Sequence, residues 1–204
     1  MIKIIGITGS LRSGSYNTAL LRMAAGLMPN EAKLEIATLK GIPLYNEDIE
    51  VNEGIPQTVI ALQEQIAAAD GLLLATPEYN NSIPGVLKNA IDWLSRPPSS
   101  IARTFGDRPV ALMGASPGGF GTVLSQNAWL PVLRALGMRP WFGGRLLISR
   151  AHHVFNETGE MVDEAAREQL RSFLAGFAEF IQASSSRAGD CVLPRTIRLC
   201  ACSA

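Results

Sequence analysis

The stretch IKIIGITGSLRSGSYN, residues 2–17, decides how this chain folds. Its first part, Ile2–Thr8, is almost entirely apolar and rich in β-branched residues, which is typical of a strand buried on both faces of a parallel sheet. A turn rich in glycine and serine follows, and residues 17–27 then carry apolar side chains at helical spacing. The stretch therefore predicts a strand–turn–helix unit of a parallel sheet.

The same alternation of apolar runs and helical stretches continues along the chain. Further strands are predicted at residues 33–39, 71–76, 109–114 and within 138–148. Helices are predicted at residues 17–27, 58–69, 84–94, 123–136 (interrupted at Pro131) and 163–181, and a long loop at 40–56. This pattern predicts an α/β domain of the flavodoxin-like type, a doubly wound five-stranded parallel sheet with helices on both faces. Ligands of such sheets bind beyond the carboxyl ends of the strands, so the loops that follow the strands are the candidate site.

Length and composition narrow the class of protein. The chain has 204 residues and equal numbers of basic and acidic side chains, 18 of each. A length of this order suits one domain, and a net charge of zero argues against nucleic-acid binding, which needs an excess of Lys and Arg. No apolar run approaches the ~20 residues that span a bilayer, and the three cysteines all lie in the last 14 residues. We expect a cytoplasmic enzyme that acts without a membrane or nucleic acid.

The turn after the first strand has the composition of an anion site. Its glycines let the backbone curl, its serines supply hydroxyls, Arg12 supplies positive charge, and the helix N-terminus presents free N–H groups. Ser15 and Tyr16 stand where a triphosphate-binding loop needs lysine and a Mg²⁺-binding hydroxyl, and the dinucleotide glycine pattern also fails. The turn therefore predicts a site for one terminal phosphate, as in FMN; an ordinary strand–helix turn is the alternative.

The loop after the third strand, PEYNNSIPG at residues 77–85, predicts a binding surface for a planar ring. Two prolines and a glycine hold the loop in one shape, and Tyr79 offers an aromatic edge with a hydroxyl. A partly polar ring system such as isoalloxazine needs backbone polar groups beside apolar or aromatic walls. The alternative is a rigid turn in which Asn80 and Asn81 serve only as turn formers.

The loop after the fourth strand, GASPGGFG at residues 114–121, matches the G-x-S-x-G pattern of a hydrolase nucleophile elbow. That elbow uses the N–H of the residue after the serine, and Pro117 has none. No Asp or Glu lies between Ser116 and His152 to complete a triad in the order of that fold. We interpret the loop as glycines and a hydroxyl that border a flat ligand.

Together, GSLRSGSYN, TPEYNNSIPGVLKNAIDWLSRP and the glycine-rich serine loop resemble the NADPH-dependent FMN reductase family, over about residues 2–181. That family includes bacterial quinone, chromate and azo reductases of flavodoxin-like fold. The resemblance implies FMN as cofactor, NADPH or NADH as electron donor, and quinones, free flavin, azo dyes or metal oxyanions as acceptors. It also implies a homodimer or homotetramer. Both substrates would use one flavin face in turn, so we expect ping-pong kinetics.

The resemblance also carries over to individual residues. It implies a phosphate site formed by Ser10, Arg12, Ser15 and Asn17, with Tyr16 shaping the turn. It implies that Pro77, Glu78, Tyr79 and Asn80 line the flavin ring and that Ser116, Gly118 and Gly119 close the remaining side. Tyr79 is a candidate at the substrate face. No acid–base side chain is required, because the flavin accepts the hydride itself, and no metal site is predicted.

Two departures limit the resemblance, and one alternative function stays open. Residues 122–131 lack the Arg and Tyr that join subunits in chromate-reducing relatives, so that substrate preference is not carried over. The segment 184–204 matches nothing in the family, and we divide the chain into a reductase domain, 1–183, and an atypical tail, 184–204, that is not needed for flavin binding. The alternative function is a flavodoxin-type FMN electron carrier that does not oxidise NAD(P)H; such carriers dock through an acidic surface, which zero net charge does not provide.

Overall fold

The structure is a computed structural model that describes residues 1–190, with side chains as far as Ser184. The cysteines of the predicted tail, Cys191, Cys200 and Cys202, lie outside the described residues. The last helix, Glu164–Asp190, continues past the predicted end of the domain at residue 183. The boundary between domain and tail stays a prediction.

A parallel sheet with the strand order β2-β1-β3-β4-β5 lies at the centre of the molecule. Its strands are β1 (Ile2–Thr8), β2 (Ala32–Ala37), β3 (Gly71–Ala75), β4 (Pro109–Ala115), β5 (Arg139–Pro140) and β6 (Leu146–Ile148). β1 pairs with β2 from Ile2 opposite Ala32 and with β3 from Ile4 opposite Gly71. This order confirms the predicted flavodoxin-like sheet. Every residue of β3 is buried, which explains its uninterrupted apolar sequence.

The fifth strand position is divided into two short pieces. Both β5 and β6 pair with β4, and residues 141–145 leave the sheet between them. This segment wraps around the Trp141 ring: a Cβ on Gly144 would lie 2.6 Å from Trp141 Cη2. Trp141 packs edge-on against Phe173, with ring centroids 5.0 Å apart. The sequence predicted one strand here because it shows apolar residues but not this tryptophan contact.

The helices cover both faces of the sheet, as predicted. They are α1 (Tyr16–Gly26), α2 (Glu47–Glu53), α3 (Gln57–Ala67), α4 (Gly85–Leu94), α5 (Ile101–Thr104), α6 (Val123–Ala135), α7 (Ala151–Val154) and α8 (Glu164–Asp190), with a 3₁₀ turn at Pro98–Ser100. α1 and α8 pack on one face, whereas α3, α4 and α6 pack on the other. None of the helices described is both long and apolar enough to cross a membrane.

Two helical predictions were wrong. α2 lies inside the predicted loop 40–56; it has no buried residue, so it leaves no apolar periodicity in the sequence. It begins instead at a cap, since Asn46 Oδ1 accepts a hydrogen bond of 2.9 Å from the Asp48 N–H. α6 also runs through Pro131 as one helix. Pro131 and Asn127 are both exposed, so the carbonyl that loses its N–H donor faces solvent.

Candidate functional site

Three loops lie side by side at the carboxyl edge of the sheet: the β1 loop (residues 9–15), the β3 loop (76–84) and the β4 loop (116–122). The first N–H group of each loop donates a hydrogen bond to the neighbouring strand, so the hydrogen bonding of the sheet continues into the loop. Gly9 donates to Ala75 O (2.9 Å), Thr76 to Met113 O (2.9 Å) and Ser116 to Ile148 O (2.9 Å). The loops therefore start at fixed positions relative to one another, as the predicted site requires.

Gly9 allows the first two loops to touch. A Cβ on Gly9 would lie 2.8 Å from Pro77 Cδ and 2.9 Å from Pro84 Cγ, closer than side chains normally approach. Pro77 and Pro84 are themselves buried. Pro77 thus packs against the β1 loop at the predicted ring surface, and the two prolines hold both ends of the β3 loop against it.

The β1 loop forms a compact positive turn at the N-terminus of α1. Ser15 caps the helix, its Oγ accepting from the Thr18 N–H at 3.4 Å, and Ser10 Oγ accepts from the Arg12 N–H at 3.3 Å. Ser10 and Ser15 are buried, whereas Arg12 is exposed. Among the described residues no carboxylate pairs with Arg12. The turn therefore presents an unpaired guanidinium beside free helix N–H groups, which suits a phosphate.

Asn17, an implied phosphate residue, makes hydrogen bonds to the end of β4. It is 3 % exposed, and its amide is bonded on both sides to the backbone of Ala115: Nδ2 donates to the carbonyl at 2.8 Å and Oδ1 accepts from the N–H at 2.9 Å. These two bonds tie the start of α1 to the end of β4. We therefore regard Asn17 as a residue that positions the β1 loop against the β4 loop, rather than as a direct phosphate ligand.

Tyr16, at the start of α1, packs against an aromatic ring. Its ring stacks on Phe155 with centroids 5.9 Å apart, and it packs against the core cluster on the α1 side of the sheet. This contact anchors the first turn of α1, in keeping with the predicted role of Tyr16 in shaping the turn.

The tip of the β3 loop is a tight, exposed turn. Tyr79 and Ser82 exchange backbone hydrogen bonds of 3.1 and 3.0 Å, and Asn80 and Asn81 between them have φ values of 50° and 61°. Asparagine tolerates this left-handed conformation better than most residues, which explains the Asn-Asn pair. The Tyr79 side chain is 48 % exposed at the rim. The backbone of Asn80 and Asn81 therefore forms a turn, as in the alternative interpretation of this loop. The exposed Tyr79 side chain can still contact a ligand.

A buried hydroxyl network supports the β3 loop from below. Thr76 is fully buried; its Oγ1 donates to Pro77 O at 3.0 Å, lies 2.8 Å from Ser125 Oγ and accepts from Trp129 Nε1 at 3.0 Å. The network joins the β3 loop to α6. The sequence reasoning assigned no role to Thr76 or Ser125, because contacts across about fifty residues leave no local pattern.

Glu78 binds the N-terminus of α6. Its Oε2 accepts hydrogen bonds from the backbone N–H groups of Leu124 (2.8 Å) and Ser125 (3.1 Å). The N-cap residue itself, Thr122, makes no side-chain capping bond. A carboxylate at this end of a helix pairs with orphan N–H groups and with the positive end of the helix dipole. Glu78 therefore joins the β3 loop to the helix that follows the β4 loop.

Replacing Glu78 with alanine should lower the free energy of unfolding by about 1 kcal/mol, the usual value of a helix cap. Urea denaturation measures this loss, and FMN titration should show weaker binding because the β3 loop loses its anchor. Glu53→Gln is the matched control, because it removes an exposed carboxylate on α2 that forms no ion pair with the described residues. A Glu78→Ala variant with the same free energy of unfolding as wild type would contradict the capping role.

The β4 loop closes the third side. Ser116 Oγ donates to Gly121 O at 2.7 Å, which folds the loop back on itself. Gly118 accepts a backbone bond from Arg150 at 2.9 Å, and Gly118 and Gly119 are exposed, with no atom near a Cβ built on Gly119. The Ser116 hydroxyl is thus used within the loop, which agrees with the rejection of a hydrolase elbow. The described residues contain no cluster of His, Cys, Asp and Glu that could hold a metal ion.

These loops fit a flavin mononucleotide. The β1 loop contains no acidic residue and offers an unpaired arginine at a helix N-terminus, which suits a monophosphate. Beside it, Tyr79 and Phe120, 48 % and 84 % exposed, offer aromatic surface, and the bare backbone of Gly118 and Gly119 lets a flat ring approach closely. A doubly wound sheet in this order with such loops defines a flavodoxin-like mononucleotide-binding protein.

Comparison with known proteins gives the family. Residues 2–153 match the family model of the NADPH-dependent FMN reductases, and the chain belongs to this family. It is 49% identical to an NAD(P)H-dependent FMN reductase of Pseudomonas aeruginosa, over 85% of this chain and 91% of that protein. It is 38% identical to a quinone reductase of Escherichia coli, over 89% of this chain and 96% of the other.

A solved structure agrees with these relatives. The flavoenzyme NAD(P)H:(acceptor) oxidoreductase FerB of Paracoccus denitrificans superposes with a TM-score of 0.81 at 29% identity, over 90% of this chain and 99% of the other. The predicted resemblance is confirmed. Family membership identifies the chain as an oxidoreductase that uses FMN and NAD(P)H.

Proposed function

We propose that the chain is a reductase that holds FMN between its three loops and transfers electrons from NADPH or NADH to small-molecule acceptors by a ping-pong mechanism. Quinones, free flavin, azo dyes and metal oxyanions are the proposed acceptors. The observation that carries the proposal is the unpaired Arg12 in an acid-free turn, fixed beside two loops that expose aromatic and glycine surface. Assembly as a homodimer or homotetramer and a cytoplasmic location belong to the same proposal.

In this proposal, the phosphate is bound by Arg12, by the hydroxyls of Ser10 and Ser15, and by the free N–H groups at the start of α1. Ser10 and Ser15 are already buried and hydrogen-bonded within the loop, so their positions are set before a ligand arrives. Preorganised donors of this kind bind an anion without a large ordering cost. Asn17 contributes indirectly, by holding the loop against the end of β4.

The ring is proposed to lie between the β3 and β4 loops. Pro77 supplies rigid backing, Tyr79 and Asn80 supply the rim, and Gly118 and Gly119 supply backbone polar groups without side chains. When bound, FMN would supply the redox chemistry, namely hydride acceptance from the nicotinamide and electron transfer to the acceptor. The chain positions both substrates at one face of the ring, with Tyr79 at the entrance, so the first product must leave before the acceptor enters.

The names of relatives support quinones as acceptors. Besides the Escherichia coli quinone reductase, a Burkholderia protein named 2-hydroxy-1,4-benzoquinone reductase is 35% identical over 89% of this chain. A site whose rim is an exposed turn, rather than a closed cavity, suits several flat acceptors.

Anaerobic stopped-flow reduction of the FMN-loaded protein tests the proposal. NADPH or NADH alone should bleach the flavin absorbance, and a quinone added afterwards should restore it. Steady-state double-reciprocal plots should give parallel lines, because the donor leaves before the acceptor binds. Intersecting lines would contradict the shared face. A flavin that either nucleotide reduces only in the presence of a partner reductase would favour the alternative, an electron carrier.

A further inference from the structure

A second polar cavity lies on the other side of the β1 loop, towards β2. It measures about 230 Å³ and is bounded by the β1 loop, the first turns of α1 and the segment after β2. We call it the β2-side cavity. Its polar lining consists of side chains from the β1 loop, from α1 and from the ends of the two strands: Thr8, Ser10, Arg12, Ser13, Thr18, Arg22, Thr38 and Lys40.

Three positive side chains meet at this cavity without partners. Arg12, Arg22 and Lys40 come from the β1 loop, from α1 and from the end of β2, and all three are exposed. Most lysines and arginines of the described chain pair with a carboxylate or bond to a carbonyl or amide oxygen, but none of these three does. The lining contains no Asp or Glu. Once Arg12 binds the flavin phosphate, Arg22 and Lys40 still line the cavity without a counter-charge, which favours a second anionic ligand.

The floor of the cavity supplies a second, independent sign of a ligand. Thr8, at the carboxyl end of β1, is 9 % exposed, and its Oγ1 is buried without a hydrogen-bond partner. A buried hydroxyl without a partner costs free energy, so native structures seldom contain one. Thr8 lines the cavity together with the three cations. An oxyanion bound there would accept the hydrogen bond that the hydroxyl now lacks.

The β2-side cavity adjoins the proposed flavin phosphate turn and lies on the opposite side of it from the proposed ring position. In β1, Ile4 belongs to the core cluster on the α1 side, and by strand alternation Thr8 faces the same side. The strands that lead into the proposed ring surfaces, β3 and β4, lie on the opposite side of β1 from β2. Ser10 and Arg12 stand at the border, because they line the cavity and also belong to the proposed flavin phosphate turn, so the inference below uses neither of them.

We infer that the β2-side cavity binds a phosphoryl group other than that of FMN, using Arg22, Lys40 and the Thr8 hydroxyl. The inference rests on the proposed function in one respect, namely that FMN occupies the three loops. The shared chemistry is a phosphate oxyanion with two sources: a phosphate group of the nicotinamide nucleotide, or free inorganic phosphate. A phosphate of the donor nucleotide bound here would contribute to its affinity.

The test is a calorimetric titration of FMN-loaded protein with inorganic phosphate at low ionic strength. FMN loading is first established from the flavin absorbance, so a failure of flavin binding is seen separately and counts against the proposed function alone. Saturable phosphate binding is expected. Arg22→Ala and Lys40→Ala should each weaken it on the order of tenfold, the value of one charge-assisted hydrogen bond. Thr8→Val should weaken it in the same direction.

Arg134→Ala is the matched control, since Arg134 is an exposed arginine on α6 that forms no ion pair with the described residues. This variant should bind phosphate as wild type does. Competition then identifies the source. Displacement of phosphate by NADPH but not NADH assigns the site to the 2′-phosphate, and displacement by neither assigns it to free phosphate. Absence of saturable binding to FMN-loaded protein, or binding that both Arg22→Ala and Lys40→Ala leave unchanged, would overturn the inference.

Discussion

Replacing Gly114 with alanine should destabilise the protein by about 3 kcal/mol, at the upper end of the usual cost of overpacking a core. Gly114 is a buried residue of β4, opposite Leu147 of β6. A Cβ at this position would overlap Thr122 Oγ1 and lie 2.5 Å from the carbonyl oxygen of Thr76. That oxygen belongs to the backbone at the start of the β3 loop, so relief of the contact must move the loop. Urea denaturation measures the loss of stability, and FMN titration should show weaker binding.

Two further variants test whether the added Cβ causes the loss of stability in Gly114→Ala. Gly26→Ala is the matched control, because nothing lies within 4 Å of a Cβ built there, and we expect unchanged or slightly higher stability. Thr122→Ala in the Gly114→Ala background removes the overlapping Oγ1 but leaves the Thr76 contact, so it should restore part of the lost stability. A Gly114→Ala protein as stable as wild type would show that the three loops are not packed as described.

Replacing Asn17 with leucine should cost about 3 kcal/mol of stability and also weaken FMN binding. Leucine has the branched shape and the heavy-atom count of asparagine, but it can neither donate to Ala115 O nor accept from Ala115 N–H. These bonds measure 2.8 and 2.9 Å at a 3 % exposed side chain. Each buried backbone group left unpaired costs about 1–3 kcal/mol. The expected loss of FMN affinity follows from separation of the β1 loop from the β4 loop.

The measurement pairs chemical denaturation with FMN titration, because a direct phosphate ligand and a positioning residue behave differently. As a positioning residue, Asn17 should lose stability even in the protein freed of FMN. Asn52→Leu, on the exposed surface of α2, is the control for adding a leucine and should have little effect. Loss of FMN affinity with wild-type stability of the FMN-free protein would return Asn17 to the phosphate site.

Much of this fold could be predicted because its strands are buried on both faces. β3 is an unbroken apolar run and β1 is almost entirely apolar. The glycine- and proline-rich loops between strands and helices mark the edge where ligands bind. The family was recognised on the same loops. Local patterns therefore carried the strand–helix alternation and the location of the site.

The roles of single residues in the site were harder to predict. Glu78 was assigned to the flavin ring but caps α6, 46 residues further along the chain. Asn17 was assigned to the phosphate but bonds to Ala115, 98 residues away. Neither contact leaves a periodic signal, and both residue types are also common ligands. The division of the fifth strand was missed for a related reason, since it depends on how residues 141–145 pack around Trp141.

Titration of the FMN-free protein with FMN and with riboflavin tests the central claim most directly, because the two ligands differ only in the phosphate. FMN should bind on the order of a hundredfold more tightly, as expected of two or more charge-assisted bonds in the β1 loop. Arg12→Ala should reduce that ratio about tenfold while leaving riboflavin binding unchanged, and Arg134→Ala should leave the ratio as it is. Equal affinity for the two ligands, or a ratio that Arg12→Ala does not change, would contradict a phosphate site in this loop.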